Sequence, residues 1–199
     1  MLRRQILVCC SLSLAWPAVR AKADTEIVVS VPDQKLAVVQ NGQRVAEFPV
    51  STSKFGLGDR PRSFATPLGE LQVTSKVGEN ATPGTVFRSL RPTGEIISAN
   101  APGRDPIVTR IMCLRGLQAQ NAHAAGRGIY IHGTPQERLI GRPASYGCIR
   151  MRSRDVVKVF EETPIGTKVE ILNEPVSRAI REMASMRGTE TTGETAGRG

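Results

Sequence analysis

From Thr25 onward the apolar positions of this chain recur mainly every second residue, in short runs. "EIVVSV" alternates around Ile27, Val29 and Val31, a period that places one side of an extended segment in a core. "KLAVVQNGQRVAEFPVS" carries Asn41-Gly42 between two apolar runs. Asn-Gly is the strongest short hairpin signal, because both residues accept positive φ. "GELQVTSKV", "TVFRSL", "GEIISA", "IVTRIMCLRG", "GRGIYIHG" and "TKVEIL" read as further strands, with Gly or Pro in almost every gap. Many short, punctuated strands predict a mostly β fold, a sandwich or barrel, with one or two short helices. One helix starts near Ser153 as its cap, with Asp155 in the first turn and Val156, Val157 and Phe160 as its apolar face, and stops before Pro164. A second, "VSRAIREMASM", spans about 176–186; the tail "RGTETTGETAGRG" has no large apolar residue and reads as disordered.

The amino-terminal 23 residues break this pattern. Arg3 and Arg4 precede the uncharged "QILVCCSLSLAWPAV", which is followed by "RAKA" with Ala21 and Ala23 at the small-residue positions of a cleavage site. The uncharged run is short for a membrane span, so residues 1–23 read as a signal peptide, with an uncleaved anchor as the weaker alternative. The expected organisation is therefore a signal over 1–23, one catalytic domain over 24–175, and a short helix with a disordered tail over 176–199.

Composition refines this picture in two places. The chain of 199 residues has a formal charge of +9, and removal of Arg3, Arg4, Arg20 and Lys22 with the signal lowers it to +5. That mild excess fits an anionic polymer or an envelope surface and singles out neither. With aromatics at 4%, a base-stacking surface for nucleic acid is not indicated. After cleavage only Cys113 and Cys148 remain, too few for a disulfide framework. Cys113 lies in an apolar strand and reads as an inert core thiol.

The chemistry concentrates in "HGTPQERLIGRPASYGCIRM", residues 132–151. A free thiol is mostly protonated at neutral pH and needs a base to become a nucleophile. The histidines are His123, in a small-residue loop, and His132, at the end of the strand "GIYI". Gly147 before Cys148 permits a sharp turn, and the N–H groups of Tyr146, Gly147 and Cys148 could face a developing oxyanion. A zinc site lacks its third and fourth ligands. Read by itself, the stretch fits either a nucleophile with its base or a turn around a buried thiol.

The same residues resemble the signature of the L,D-transpeptidase catalytic domain, the YkuD-type family. His132-Gly133 is followed by Ser145-Tyr146-Gly147-Cys148-Ile149-Arg150, and "ATPLGELQV" at 65–73, "IYIHGT" and "IGRPAS" are similar to other family stretches. The resemblance covers about residues 26–172. It implies a β catalytic fold and a cysteine peptidyl transferase of the periplasm or cell envelope, acting on peptidoglycan stem peptides without cofactor or metal. Cys148 matches the nucleophile, His132 the general base, and Gly133 the position whose carbonyl orients that base. Arg150 matches a position for a substrate carboxylate, Ser145 matches the Ser/Thr position, where a turn hydrogen bond and a substrate contact fit equally, and Tyr146 and Gly147 match substrate-facing positions. The acyl acceptor would be a second stem, a lipoprotein lysine, a free D-amino acid or water. Tyr146 stands where the family usually has histidine, which leaves a catalytically impaired wall-binding relative as the alternative.

Overall fold

The computed structural model describes residues 24–193, so the expected signal peptide at 1–23 lies outside the described residues. Within them the chain forms ten strands and two α-helices. The strands are β1 (Thr25–Ser30), β2 (Lys35–Gln40), β3 (Gln43–Pro49), β4 (Gly69–Val77), β5 (Thr85–Arg88), β6 (Arg91–Ile96), β7 (Ile107–Gly116), β8 (Tyr130–Gly133), β9 (Ile149–Met151) and β10 (Lys168–Leu172). Helix α1 spans Ser153–Glu162 and α2 Val176–Gly193. No helix of the described residues is long and apolar enough to cross a membrane.

The strands form a single mixed sheet in the order β3-β2-β1-β10-β4-β7-β5-β6, with β8 on β7 and β9 on β8. The Asn41-Gly42 turn has φ of 52° and 80°, the paired positive values of a tight hairpin. Among the named strands two pairs are parallel, β1 with β10 and β8 with β9. Beyond β9 the path curls back, because Arg150 exchanges backbone hydrogen bonds with Ser51, just past β3. The result is a barrel-like closure, and β8 and β9 lie at its seam.

Alternation decides the core. Ile27, Val29, Leu36, Val38, Leu71, Val73, Met112 and Leu114 turn inward and meet Val156, Val159 and Phe160 of α1. Val28, Ala37 and Val39 point to the other face, where Val176 and Ala179 of α2 cover them. The β1–β2 hairpin is therefore buried on both sides, which explains its near-continuous apolar runs. Each fully buried Val or Leu contributes about 1.5–3 kcal/mol. Asp33 accepts the Val176 N–H at 2.9 Å and fixes the start of α2 on this face.

Four details depart from the sequence reading. The strand expected in "GEIISA" begins earlier, at Arg91, because a two-residue turn at Ser89-Leu90, with φ of 48° and 61°, sets the Arg88–Arg91 pairing. Neither residue carries the usual turn signal. The three-residue β9 has too few positions to show a period. Ser153 is the first helical residue of α1 and not its cap; its N–H donates to Glu137 Oε1 at 2.8 Å, and Val159, in place of Val157, completes the apolar face. Helix α2 continues past residue 186 into the expected tail, to Gly193, since extending a helix already docked at its first turns adds one backbone bond per residue fixed. Residues 194–199 lie outside the described residues.

Candidate active site

Strand β8 carries His132, and the β8–β9 register sets His132 opposite Arg150. Side chains two apart on a strand share a face. Cys148, just before β9, therefore lies on the same side as Arg150 and His132. Cys148 and His132 line one cavity of about 160 Å³, together with Asp105, Ile107, Ser145, Tyr146 and Arg150. A cleft of about 300 Å³ opens beyond Phe64 and another of about 410 Å³ beyond Lys54, and Tyr146 borders all three.

The turn before Cys148 needs glycine. Gly147 has φ of +119°, and a Cβ there would come 3.0 Å from Ile129 Cδ1 and 3.2 Å from the Ala65 carbonyl. Ser145 braces the turn. Its hydroxyl donates to the Cys148 carbonyl at 2.6 Å and accepts the Gly147 N–H at 3.2 Å. Ser145 is 1% exposed, and these bonds fit the turn-bracing reading of the Ser/Thr position. The Gly147 N–H is engaged by the same bond, so it is not an oxyanion donor in this arrangement.

His132 is buried, and its Nδ1 lies 2.8 Å from the Gly133 carbonyl. The carbonyl can only accept, so Nδ1 carries the proton and Nε2 keeps its lone pair. Gly133 is itself a close-approach position: a Cβ would sit 2.6 Å from the Val108 carbonyl. Burial lowers the imidazole to about 4, outweighing the opposing pull of the Gly133 carbonyl and Asp105. Burial likewise raises the Cys148 thiol to about 11, against the lowering by the Tyr130 N–H, Arg127 and Arg150. Its Sγ donates to the Gly128 carbonyl at 3.2 Å. At neutral pH the pair thus rests as thiol and neutral imidazole, with the Nε2 lone pair free of a proton.

This burial has a stability consequence. The unfolded histidine binds its proton near pH 6.5 and the folded one only near 4, so the unfolded state holds more protons between these values. Stability is complete above about pH 6.5 and is lost as pH falls through that window. Urea denaturation is expected to show a loss of roughly 3 kcal/mol between pH 7 and pH 4 from this group. In His132→Gln that part of the acid limb should vanish, and an unchanged acid limb would refute the assignment.

Arg150 is 4% exposed. Its guanidinium forms an ion pair with Asp105 and donates from Nη2 to Ser51 Oγ at 3.2 Å. The other Asp105 oxygen accepts the Thr134 hydroxyl. Arg150 therefore ties β9 to the loop before β7 and to the Ser51 segment, a poor position for capturing a substrate carboxylate from solvent. Sequence reasoning missed Asp105, which lies in the Gly/Pro-rich loop "APGRDP" without a periodic signal.

Tyr146 is placed differently from an inner-wall residue. It is 58% exposed, and its ring centroid lies 5.3 Å from that of Phe55 and 5.6 Å from that of Phe64. Of the remaining candidates, His123 is exposed on a loop beside Asp59, and Cys113 is a buried free thiol packed with Phe87 and Ile111. Among the described residues no group of three His, Cys, Asp or Glu could hold a metal ion.

The chain is similar to known proteins over most of its length. The profile of the L,D-transpeptidase catalytic domain (YkuD) matches residues 24–171. YqjB of Bacillus subtilis (strain 168), named among the L,D-transpeptidases, is 30% identical over 175 residues, covering 87% of this chain and 85% of its own. YbiS of Escherichia coli (strain K12), likewise so named, is 31% identical over 153 residues, 75% of this chain but 45% of its own, so this chain matches under half of that relative's length. A solved L,D-transpeptidase from Mycobacterium smegmatis is 18% identical over 75% of this chain and 59% of its own, with a TM-score of 0.49. The profile match over residues 24–171 and the 30% identity to a relative covered over 85% of its length show that the chain belongs to the L,D-transpeptidase catalytic domain family.

Proposed function

We propose that this protein is an exported cysteine L,D-transpeptidase of the periplasm or cell envelope, acting on peptidoglycan tetrapeptide stems. The observation that carries this reading is the placement of Cys148 and His132 in one cavity, with Nδ1 held by the Gly133 carbonyl so that Nε2 is the base. The Cys148 S–H proton passes to His132 Nε2 as sulfur attacks the carbonyl at the L-centre of diaminopimelate. The tetrahedral oxyanion is met by the N–H groups of Tyr146 and Cys148, since that of Gly147 is engaged with Ser145. Collapse breaks the amide bond, and the imidazolium gives its proton to the leaving D-Ala amine, leaving a thioester. An acceptor amine, or water, then attacks the thioester, transfers a proton to His132 and restores the thiol. No step requires a cofactor. A buried, neutral resting pair suits this cycle, because the charged forms arise only once substrate is in place.

The chain from residue 24 onward, incubated with a purified tetrapeptide stem, is expected to release D-Ala and to gain the mass of the tripeptide acyl group on Cys148. Absence of both D-Ala release and the Cys148 adduct, with the protein folded, would refute the reading.

A further inference from the structure

Three large rings stand exposed in one cluster, and one of them, Tyr146, lines the cavity that holds the candidate thiol. Phe55, Phe64 and Tyr146 are 52%, 55% and 58% exposed, and their centroids lie 5.3–5.6 Å apart. The whole chain has five Phe, two Tyr and one Trp, so three in one exposed cluster is a concentration that marks a contact surface. Lys54 lies on this cluster. Its ammonium is 4.7 Å from the Tyr146 ring centroid and 5.1 Å from that of Phe55, and it donates to the Tyr146 hydroxyl at 3.3 Å. Such contacts restrain an ammonium without neutralising it.

The charges around Lys54 decide what it can bind. Among the described residues no carboxylate lies within ion-pair distance of it. The two acids near the clefts are engaged elsewhere: Asp59 with Arg127, and Asp105 with Arg150 and Thr134. Arg62 and Arg142 line the flanking clefts and add positive charge. An aromatic cluster could also cage an ammonium ligand, but Lys54 already occupies two ring faces and the surrounding field repels a second cation. The mouth of the site therefore favours an anion. The Arg150 guanidinium, expected from the family pattern to hold a substrate carboxylate, is buried against Asp105.

We propose that Lys54, mounted on the faces of Tyr146 and Phe55, receives a free carboxylate of the peptide substrate, and that Tyr146 serves as its mount. This rests on the peptide-acyl-transfer reading above and gives the tyrosine at position 146 a specific task. The free carboxylates of a tetrapeptide stem nearest the scissile bond are those of the leaving residue and of the diaminopimelate side-chain branch, and amidation separates the two.

The experiment measures kcat/KM for D-Ala or D-Ala-amide release from three donors: the free acid, the C-terminal carboxamide, and the stem amidated only at the branch. One amidation is expected to reduce kcat/KM of the full chain by about tenfold, the scale of a lost charge-assisted contact, and so to identify the carboxylate bound. In Lys54→Met the ratio of free acid to that amide should fall to near one, and in Lys54→Arg it should be largely restored. Equal losses on all three donors in Lys54→Met would indicate a structural role and overturn the proposal. Flat ratios in the unaltered chain would overturn it while leaving acyl transfer intact. Failure of the unaltered chain to process any donor would overturn both.

Discussion

Cys148→Ser is expected to abolish acyl-enzyme formation and to lower D-Ala release by at least about a thousandfold, with the fold unchanged. A hydroxyl is far less acidic than a thiol, and one neutral imidazole cannot offset that difference. His132→Ala should cost a similar factor, since a nucleophile and its base act as one unit and losing either removes most of the effect. The expectation is sharpened by the resting state of this site. With the thiol raised to about 11, only a minute fraction is thiolate at neutral pH without the base. Alkylation of Cys148 in His132→Ala should then rise steadily with pH up to about 11, showing no plateau near neutrality. Cys113→Ser, in the core beside Phe87 and Ile111, should leave turnover within a few-fold of the parent. Intact-protein mass spectrometry and a D-Ala release assay measure all four results. Sustained turnover in Cys148→Ser would remove the cysteine mechanism.

Asp105→Ala is the second change with a large expected effect. It leaves the Arg150 guanidinium, 4% exposed, without its counter-charge; breaking a fully buried pair from one side costs about 3–5 kcal/mol, and the partly exposed Asp105 carboxylate puts this change toward the lower end of that range. Arg150 exchanges backbone bonds with Ser51 and sits opposite His132 in the β8–β9 register, so the loss falls on the seam that holds the candidate pair. Urea denaturation should show the destabilisation. Adding Arg150→Met to the same variant should recover a large part of it, because the uncompensated charge is then gone. A single variant that loses less than about 1 kcal/mol would mean that the pair behaves like an exposed one. The two buried arginines near the site have parallel tasks: Arg127 bonds Asp59 and the carbonyls of Gly58, Ser63 and Ala65, which fixes the loop carrying Phe64.

Much of the architecture was legible in the order of residues alone. Local rules suffice where they act over a few positions: a period of two set most strands, Asn41-Gly42 set the first hairpin, and Pro164 stopped α1. The Cys148–His132 pairing was readable only because a sixteen-residue spacing matches a family signature; neither residue states its partner by itself. What tertiary structure decided are relations between distant segments. Asp105 reaches Arg150 across 45 residues, and Lys54 reaches Tyr146 across 92. No periodicity encodes such contacts, because closure of the sheet through Ser51 and Arg150 brings those loops together. The same closure buries Arg150 and Ser145 and leaves Tyr146 exposed with two phenylalanines. Burial is a property of the assembled barrel, so the depressed imidazole, the raised thiol and the exposed lysine could be fixed only once the whole sheet was in place.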